Sequence, residues 1–152
     1  MRHARPARNA ALLVLLSLGL LGALVACDDQ QTFGRATILS TQDPDAEGNA
    51  QLILDGNALT VKLNVRGFEP GTLHANHIHR GFCPPPVGPG PEGPIVIPLT
   101  DVAIGADGSG SQTTTVNTTI TDLPTGNYYV NVHIRSTAAG TGPGQTCGTV
   151  VF

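Results

Sequence analysis

Strict alternation of apolar and polar residues on both sides of a turn limits the fold of this chain more than any other feature. In "AQLILDGNALTVKLNVRGF" (50–68), apolar residues recur at every second position before and after the central "DGN". A period of two is that of a half-buried β-strand, and Asp-Gly between two such runs is a strong hairpin signal. The stretch therefore predicts two antiparallel strands with one face towards a core.

The rest of the chain repeats short β-prone runs separated by turn residues, since glycine and proline number 19 and 12 among 152 residues. Further strands are predicted in "FGRATILST", "TLHANHIH", "IVIPLTDVAI", "SQTTTVNTTITDL", "YYVNVHIR" and "TCGTVVF". The run "CPPPVGPGPEGP" (83–94) holds six of the twelve prolines and is predicted to be a stiff, exposed loop. We expect an all-β fold, with about eight short strands in one antiparallel sandwich or barrel and no helix.

The N-terminus has the pattern of a secretory signal. Arg2, Arg5 and Arg8 precede the uncharged apolar run "ALLVLLSLGLLGALVA", which ends at Cys27. That run is shorter than the ~20 residues of a membrane-spanning helix. The ending "LVAC" resembles the lipobox of bacterial lipoproteins, which implies a signal peptide over 1–26, lipid on Cys27 and a short tether to residue 33. The alternatives are an ordinary signal peptide with a chance cysteine, or an uncleaved anchor.

A lipidated Cys27 implies a domain at 34–152 that lies outside the cytoplasm, in a bacterial cell envelope, and is held to the membrane by lipid. Without the signal, five basic residues remain against eleven acidic ones, a net charge of −6. An acidic surface argues against binding to nucleic acid. Cys83 and Cys147 are expected to form a disulfide, because thiols in that compartment are oxidised. The alternative is a free or metal-bound thiol pair.

The histidines of the mature chain fall in two predicted strands. His77 and His79 project from one face, because residues two apart on a strand share a face. His133 projects away from the apolar positions of the later strand, which are Val130, Val132 and Ile134. If the two strands are neighbours, three imidazoles converge, and imidazole is the commonest metal ligand near neutral pH. His74 falls on the opposite face, and we expect backbone hydrogen bonds to satisfy it; such a structural role is the alternative for the other three.

Two families share motifs with this region. The segment "GFEPGTLHANHIHRGFC" (67–83) resembles the stretch of copper–zinc superoxide dismutases that reads G-L-x-x-G-x-H-G-x-H-x-H and is followed by a cysteine. "ADGSGS" and "TCGTV" resemble that family's turn before its later strands and its C-terminal strand with the second disulfide cysteine. The similarity spans most of 34–152 and implies an eight-stranded Greek-key fold. "HANHIH…GPIVIPL…LPTGNYYVNVH" is similar to CHRD domains, with their A-x-H-I-H and Y-V-N-V-H elements.

The dismutase resemblance implies roles for each histidine. His77 and His79 match the first two copper ligands, and His133 matches the last one. His74 matches a structural histidine that is not a ligand. The two cysteines of the domain match the family's intrachain disulfide.

Zinc ligands are missing from this sequence. In the dismutases, the loop after the first cysteine supplies a metal-bridging histidine and the zinc ligands. Here that loop has no histidine, and its one carboxylate is Glu92. Asp101 and Asp107 follow further on, but carboxylates alone make a poor zinc site. We therefore expect one copper ion and no zinc.

The arginine that guides superoxide in the dismutases is also replaced. It lies three residues before the last cysteine, a position that is Gly144 here. Arg80 and Arg135 are the candidates to take over the guidance of an anion.

The sequence as a whole predicts a lipid-anchored, extracytoplasmic copper-binding protein of the dismutase-like fold. An open coordination position would admit a small anion, and superoxide dismutation at a three-histidine copper site is the reaction that the resemblance implies. Two other functions remain open. One is a CHRD-like binding or structural module without catalysis, and the other is a protein that holds or delivers copper.

Overall fold

A computed structural model of the chain describes residues 31–84 and 92–152. The predicted signal peptide, Cys27 and the central part of the proline-rich loop lie outside the described residues. Within the described ranges, no helix has the length and apolar character needed to cross a membrane. The strands are β1 (Thr32–Ser40), β2 (Glu47–Asp55), β3 (Ala58–Arg66), β4 (Leu73–His74), β5 (Asn76–Arg80), β6 (Ile95–Pro98), β7 (Val102–Ala103), β8 (Gly110–Asn117), β9 (Tyr128–His133) and β10 (Gly144–Thr149).

Eight of these strands form one curled antiparallel sheet, in the order β6-β5-β9-β10-β1-β2-β3-β8, and β4 pairs separately with β7. The partial order β10-β1-β2-β3, in which a later strand returns beside the first, is that of a Greek key. A 3-10 turn at Thr137–Ala139 is the single helical element in the described ranges. The predicted all-β antiparallel fold is confirmed, although two strand pairs that the sequence pattern merges raise the count to ten.

The hairpin of β2 and β3 follows the predicted register closely. The pairs run from Glu47↔Arg66 to Asp55↔Ala58 without a bulge. Gly56 in the connecting turn has a φ of 56°, a left-handed conformation that glycine adopts without steric cost.

One cluster of buried apolar side chains fills the inside of the curled sheet. Its largest fully buried members include Ile38, Leu52, Leu59, Leu63 and Ile78. Burying a side chain of this size stabilises the fold by about 1.5–3 kcal/mol. Because strand side chains alternate, the histidines beside Ile78 in β5 point to the outer face of the sheet.

The strand predicted over 72–79 is interrupted, which corrects the sequence reading. At Ala75 the chain leaves its pairing with β7 and begins to pair with β9. The Ala75 amide donates to the carbonyl of Arg135, and its carbonyl accepts from the amide of His133. Both flanking segments keep extended backbone, so periodicity alone does not reveal the change of partner.

Three other boundaries differ from expectation. The stretch "IVIPLTDVAI" divides into β6 and β7, and Pro98 lies in the edge strand β6, as its missing N–H requires. Strand β1 begins at Thr32, inside the predicted tether. Ile134, predicted on the apolar face, is 38% exposed, because β9 ends at His133 and the chain turns outward there.

Candidate metal centre

Strand β9 is buried along its whole length, on both faces of the sheet. Tyr128, Val130 and Val132 pack into the core. The outward residues include Asn131 and His133, which are only 2% exposed. Polar side chains on an outer sheet face normally contact water. Their burial shows that the outer face is covered at this place.

Three imidazoles converge on that covered face. Strand β5 pairs with β9 so that His77 lies opposite Asn131 and His79 lies opposite Tyr129. One ring nitrogen each from His77, His79 and His133 lie within 4.8 Å of one another. His77 Nδ1 and His133 Nε2 lie at hydrogen-bond distance, 3.0 Å apart. The structure therefore brings together the three histidines that the sequence singled out, and we call them the histidine cluster.

Hydrogen bonds to backbone carbonyls orient two of these rings. His79 Nδ1 is 2.7 Å from the carbonyl oxygen of Gly93, and His133 Nδ1 is 2.9 Å from that of Gly142. A carbonyl only accepts, so each Nδ1 donates and each Nε2 keeps its lone pair. Tyr129 stacks on His79 with ring centroids 4.9 Å apart, and its hydroxyl accepts from the Gly93 amide at 2.9 Å. These contacts fix the direction of the two Nε2 lone pairs.

The chemistry of the cluster fits a metal ion. His79 Nε2 is buried and has no hydrogen-bond partner among the described residues. Such an orphaned polar atom costs about 1–3 kcal/mol, which coordination to an ion would offset. Burial, aided by the neighbouring His133 and His79, lowers the pKa of His77 to about 4. Burial also lowers the pKa of His79. Both rings are therefore neutral at pH 7, the form that binds metals.

Glu92 lies behind the cluster, on the side away from the shared lone pairs. Its Oε2 is 4.0 Å from His133 Nδ1, and its Oε1 accepts from the amide of Gly144 at 2.5 Å. A carboxylate close to the outer nitrogen of a ligating imidazole raises the basicity of that ligand. The sequence singled out Glu92 only as the one carboxylate of a loop that lacks zinc ligands. Its contact with Gly144 joins residues 52 positions apart, so no local sequence pattern indicates it.

His74 is buried outside the cluster. Its Nδ1 donates to the carbonyl of His133 at 2.7 Å, and its Nε2 lies 2.7 Å from the hydroxyl of Thr72. Its ring and that of Phe68 form an edge-to-face pair, with centroids 4.8 Å apart. His74 thus holds the backbone at the end of β9 and points no nitrogen towards the other three rings.

The candidate anion-guiding residues lie at the surface. Arg80 forms an ion pair with Asp122 at 3.0 Å and lies over the ring of Tyr128. As the residue after His79 in β5, it projects from the opposite face of the strand. Arg135 is exposed, two residues beyond His133.

Gly144, which replaces the guiding arginine, leaves no room for a side chain. A Cβ atom there would collide with the buried amide group of Asn131.

Cys83 and Cys147 form the predicted disulfide, with their Cα atoms 5.7 Å apart. The bond ties the start of the proline-rich loop to β10. The far end of that loop carries Gly93 and Glu92, which contact two rings of the cluster. The disulfide therefore fixes the start of this loop, and the hydrogen bonds of Gly93 to Tyr129 and of Pro94 to Arg80 hold its far end.

The lowered pKa of His77 predicts that the metal-free protein loses stability in mild acid. The unfolded chain takes up the proton near pH 6.5 and the folded chain only near pH 4. The free energy of unfolding should fall as the pH drops from 6.5 to 4, by up to about 3 kcal/mol from this group. Urea unfolding of wild type and His77→Asn at several pH values measures the difference. Equal pH dependence in both proteins would contradict the prediction.

Comparison with known proteins identifies one family. A sequence profile described as the CHRD domain matches residues 32–141, which run from the start of β1 past the 3-10 turn. All three residues of the histidine cluster fall inside the match. A search of curated proteins finds no match. Because the profile covers more than half of the chain, this protein belongs to the CHRD domain family.

Proposed function

We propose that this CHRD domain holds one copper ion at His77, His79 and His133, on the outer side of a bacterial membrane to which lipid on Cys27 anchors it. One observation carries the metal site: three buried imidazoles place donor nitrogens within 4.8 Å of one another. The orphaned Nε2 of His79 supports it, since this atom otherwise remains unsatisfied.

Copper is the metal that the donor set favours. Imidazole nitrogen suits several divalent ions, and copper(II) has the highest affinity of the first-row series. Both described cysteines are in a disulfide, and no carboxylate belongs to the cluster, so neither thiolate nor carboxylate adds a preference for another ion. Bound copper would supply one-electron redox chemistry, and the chain would supply orientation and burial.

Titration of the purified protein with copper(II), followed by electron paramagnetic resonance, tests the site. We expect one tight equivalent, with couplings from several imidazole nitrogens, that excess zinc(II) does not displace. Absence of stoichiometric binding, or a spectrum without nitrogen couplings, would overturn the proposal. A CHRD-like binding or structural module without a metal would then be the better description.

Of the two functions proposed for a copper site here, we favour holding copper over superoxide dismutation. Arg80 is engaged by Asp122, and Glu92 adds negative charge beside His133, which slows the approach of an anion. Dismutation remains the finer prediction from the dismutase resemblance. Stopped-flow decay of superoxide with copper-loaded protein, its apo form and His133→Ala decides it. A rate above both controls supports an enzyme, and equal rates leave a copper-holding protein.

The lipid anchor has its own test. Mass spectrometry of the mature protein should show an N-terminal acylated Cys27, and Cys27→Ser should prevent incorporation of labelled fatty acid. An unmodified N-terminus would refute the anchor without affecting the copper site.

A further inference from the structure

A patch of exposed apolar side chains lies on the outer face of the sheet, away from the histidine cluster. Phe33 in β1 and Val151 after β10 are each 63% exposed. Ile53 lies directly opposite Phe33 in β2, and Val151 lies opposite Arg35. The three apolar side chains therefore lie around the side chain of Arg35. Contiguous apolar groups at a surface mark an interaction site.

The same face carries two basic side chains in its central rows, which are the lines of residues paired across β1, β2, β3 and β8. The domain as a whole is acidic. Arg35, Gln51 and Lys62 follow one another across β1, β2 and β3. The described residues place no carboxylate within ion-pair distance of either base. Acids of this face occur at strand ends, where Glu47 pairs with Arg66 and Asp55 accepts from Gln31. The other outward residues of the central rows are Thr37, Asn49, Thr60, Asn64, Ser111, Thr113 and Thr115.

The start of β1 is also close in sequence to the proposed lipid on Cys27. Thr32 follows Cys27 by five residues. A chain of that length spans at most about 17 Å when fully extended. An anchor at Cys27 would therefore keep Phe33, one residue further along β1, within about 20 Å of the membrane surface.

We propose that the face formed by Phe33, Arg35, Ile53, Lys62 and Val151, here called the basal face, lies against an anionic lipid surface. The apolar side chains enter the headgroup region, and the two bases contact lipid phosphates. This inference rests on the proposed anchor at Cys27 and adds a defined orientation of the domain on the membrane.

The absence of tryptophan from the chain provides a direct test. Phe33→Trp introduces a single fluorophore on the basal face, and Phe82→Trp introduces one at a residue that is 66% exposed and outside it. The full protein is reconstituted on phosphatidylglycerol vesicles that contain a brominated lipid. We expect a blue-shifted, quenched emission for Phe33→Trp and neither effect for Phe82→Trp. Equal quenching of both, or of neither, would overturn the proposal.

Charge variants test the role of the bases. Arg35→Gln and Lys62→Gln, each in the Phe33→Trp background, should shift the equilibrium between docked and undocked domain by about fivefold. Arg66→Gln is the matched control, since Arg66 already pairs with Glu47 at a strand end, and it should have a smaller effect. Neutral phosphatidylcholine vesicles should reduce quenching as the two substitutions do. Quenching that ignores both charge and lipid composition would contradict the proposal.

The two proposals fail in different ways. If mass spectrometry shows no lipid on Cys27, the anchor fails, and quenching of Phe33→Trp by anionic vesicles still decides the basal face. If the emission of Phe33→Trp is already blue-shifted without vesicles and depends on protein concentration, a second copy of the chain covers the face. That result would overturn the membrane orientation.

Discussion

Replacing His133 with alanine is expected to lower the affinity for copper by at least about 100-fold, because loss of an outer-shell contact alone costs 10–100-fold and this change removes a ligand. The Nε2 of His133 lies 3.0 Å from His77 Nδ1, so its loss opens the cluster on one side. Isothermal titration or competition with a chromophoric chelator measures the affinity. Copper at 100 times the wild-type dissociation constant should stabilise the wild type by about 2.7 kcal/mol and the variant by no more than about 0.4 kcal/mol.

His74→Gln is the matched control for that experiment. His74 is buried and bonded to the backbone of His133, yet it lies outside the cluster. Its replacement should disturb the fold without removing a ligand, so the affinity should fall by no more than about tenfold. Circular dichroism of both variants confirms that they fold. Wild-type affinity in folded His133→Ala would show that copper binds elsewhere.

The period-two pattern of the sequence is enough to predict the fold class and to single out the three histidines. Alternation placed Ile78 in the core, and it therefore placed His77 and His79 on the outer face. The same rule applied to β9 put His133 on that face. The one condition left open was adjacency of the two strands, which depends on long-range pairing that a single sequence does not encode locally. The pairing of β5 with β9 meets that condition.

Local sequence patterns do not predict which residues contact the histidine cluster. Gly93 and Glu92 contact His79 and His133 from a loop whose composition indicates only an irregular conformation. The break at Ala75 was missed for a related reason, since the backbone there remains extended while its partner changes. These features arise from contacts between distant segments. Residue type alone gives no indication of them.

The two resemblances share the histidine strand and differ around it. The dismutase pattern requires an arginine at Gly144, where the Asn131 amide leaves no space for a side chain. Asn131 belongs to the "YVNVH" element that is similar to CHRD domains, and the family match includes it. Gly144 and Asn131 therefore fit each other in this protein, because the Asn131 amide fills the space that a side chain at 144 would need.

Removal of the disulfide is the second change with a large expected effect. The bond between Cys83 and Cys147 closes a loop of 64 residues. In the chain-entropy model, opening a loop of that length lowers the free energy of unfolding by about 4 kcal/mol. Urea unfolding of Cys83→Ser/Cys147→Ser against the oxidised wild type measures this change.

Reduction of the wild type separates the bond from the serine side chains. Cys147 is 1% exposed, so a hydroxyl at that position adds its own burial cost. Wild type treated with reductant has no such cost, and its stability loss should come close to the 4 kcal/mol of the entropy model. If the reduced protein instead unfolds at the same urea concentration as the oxidised one, other contacts hold the loop to β10.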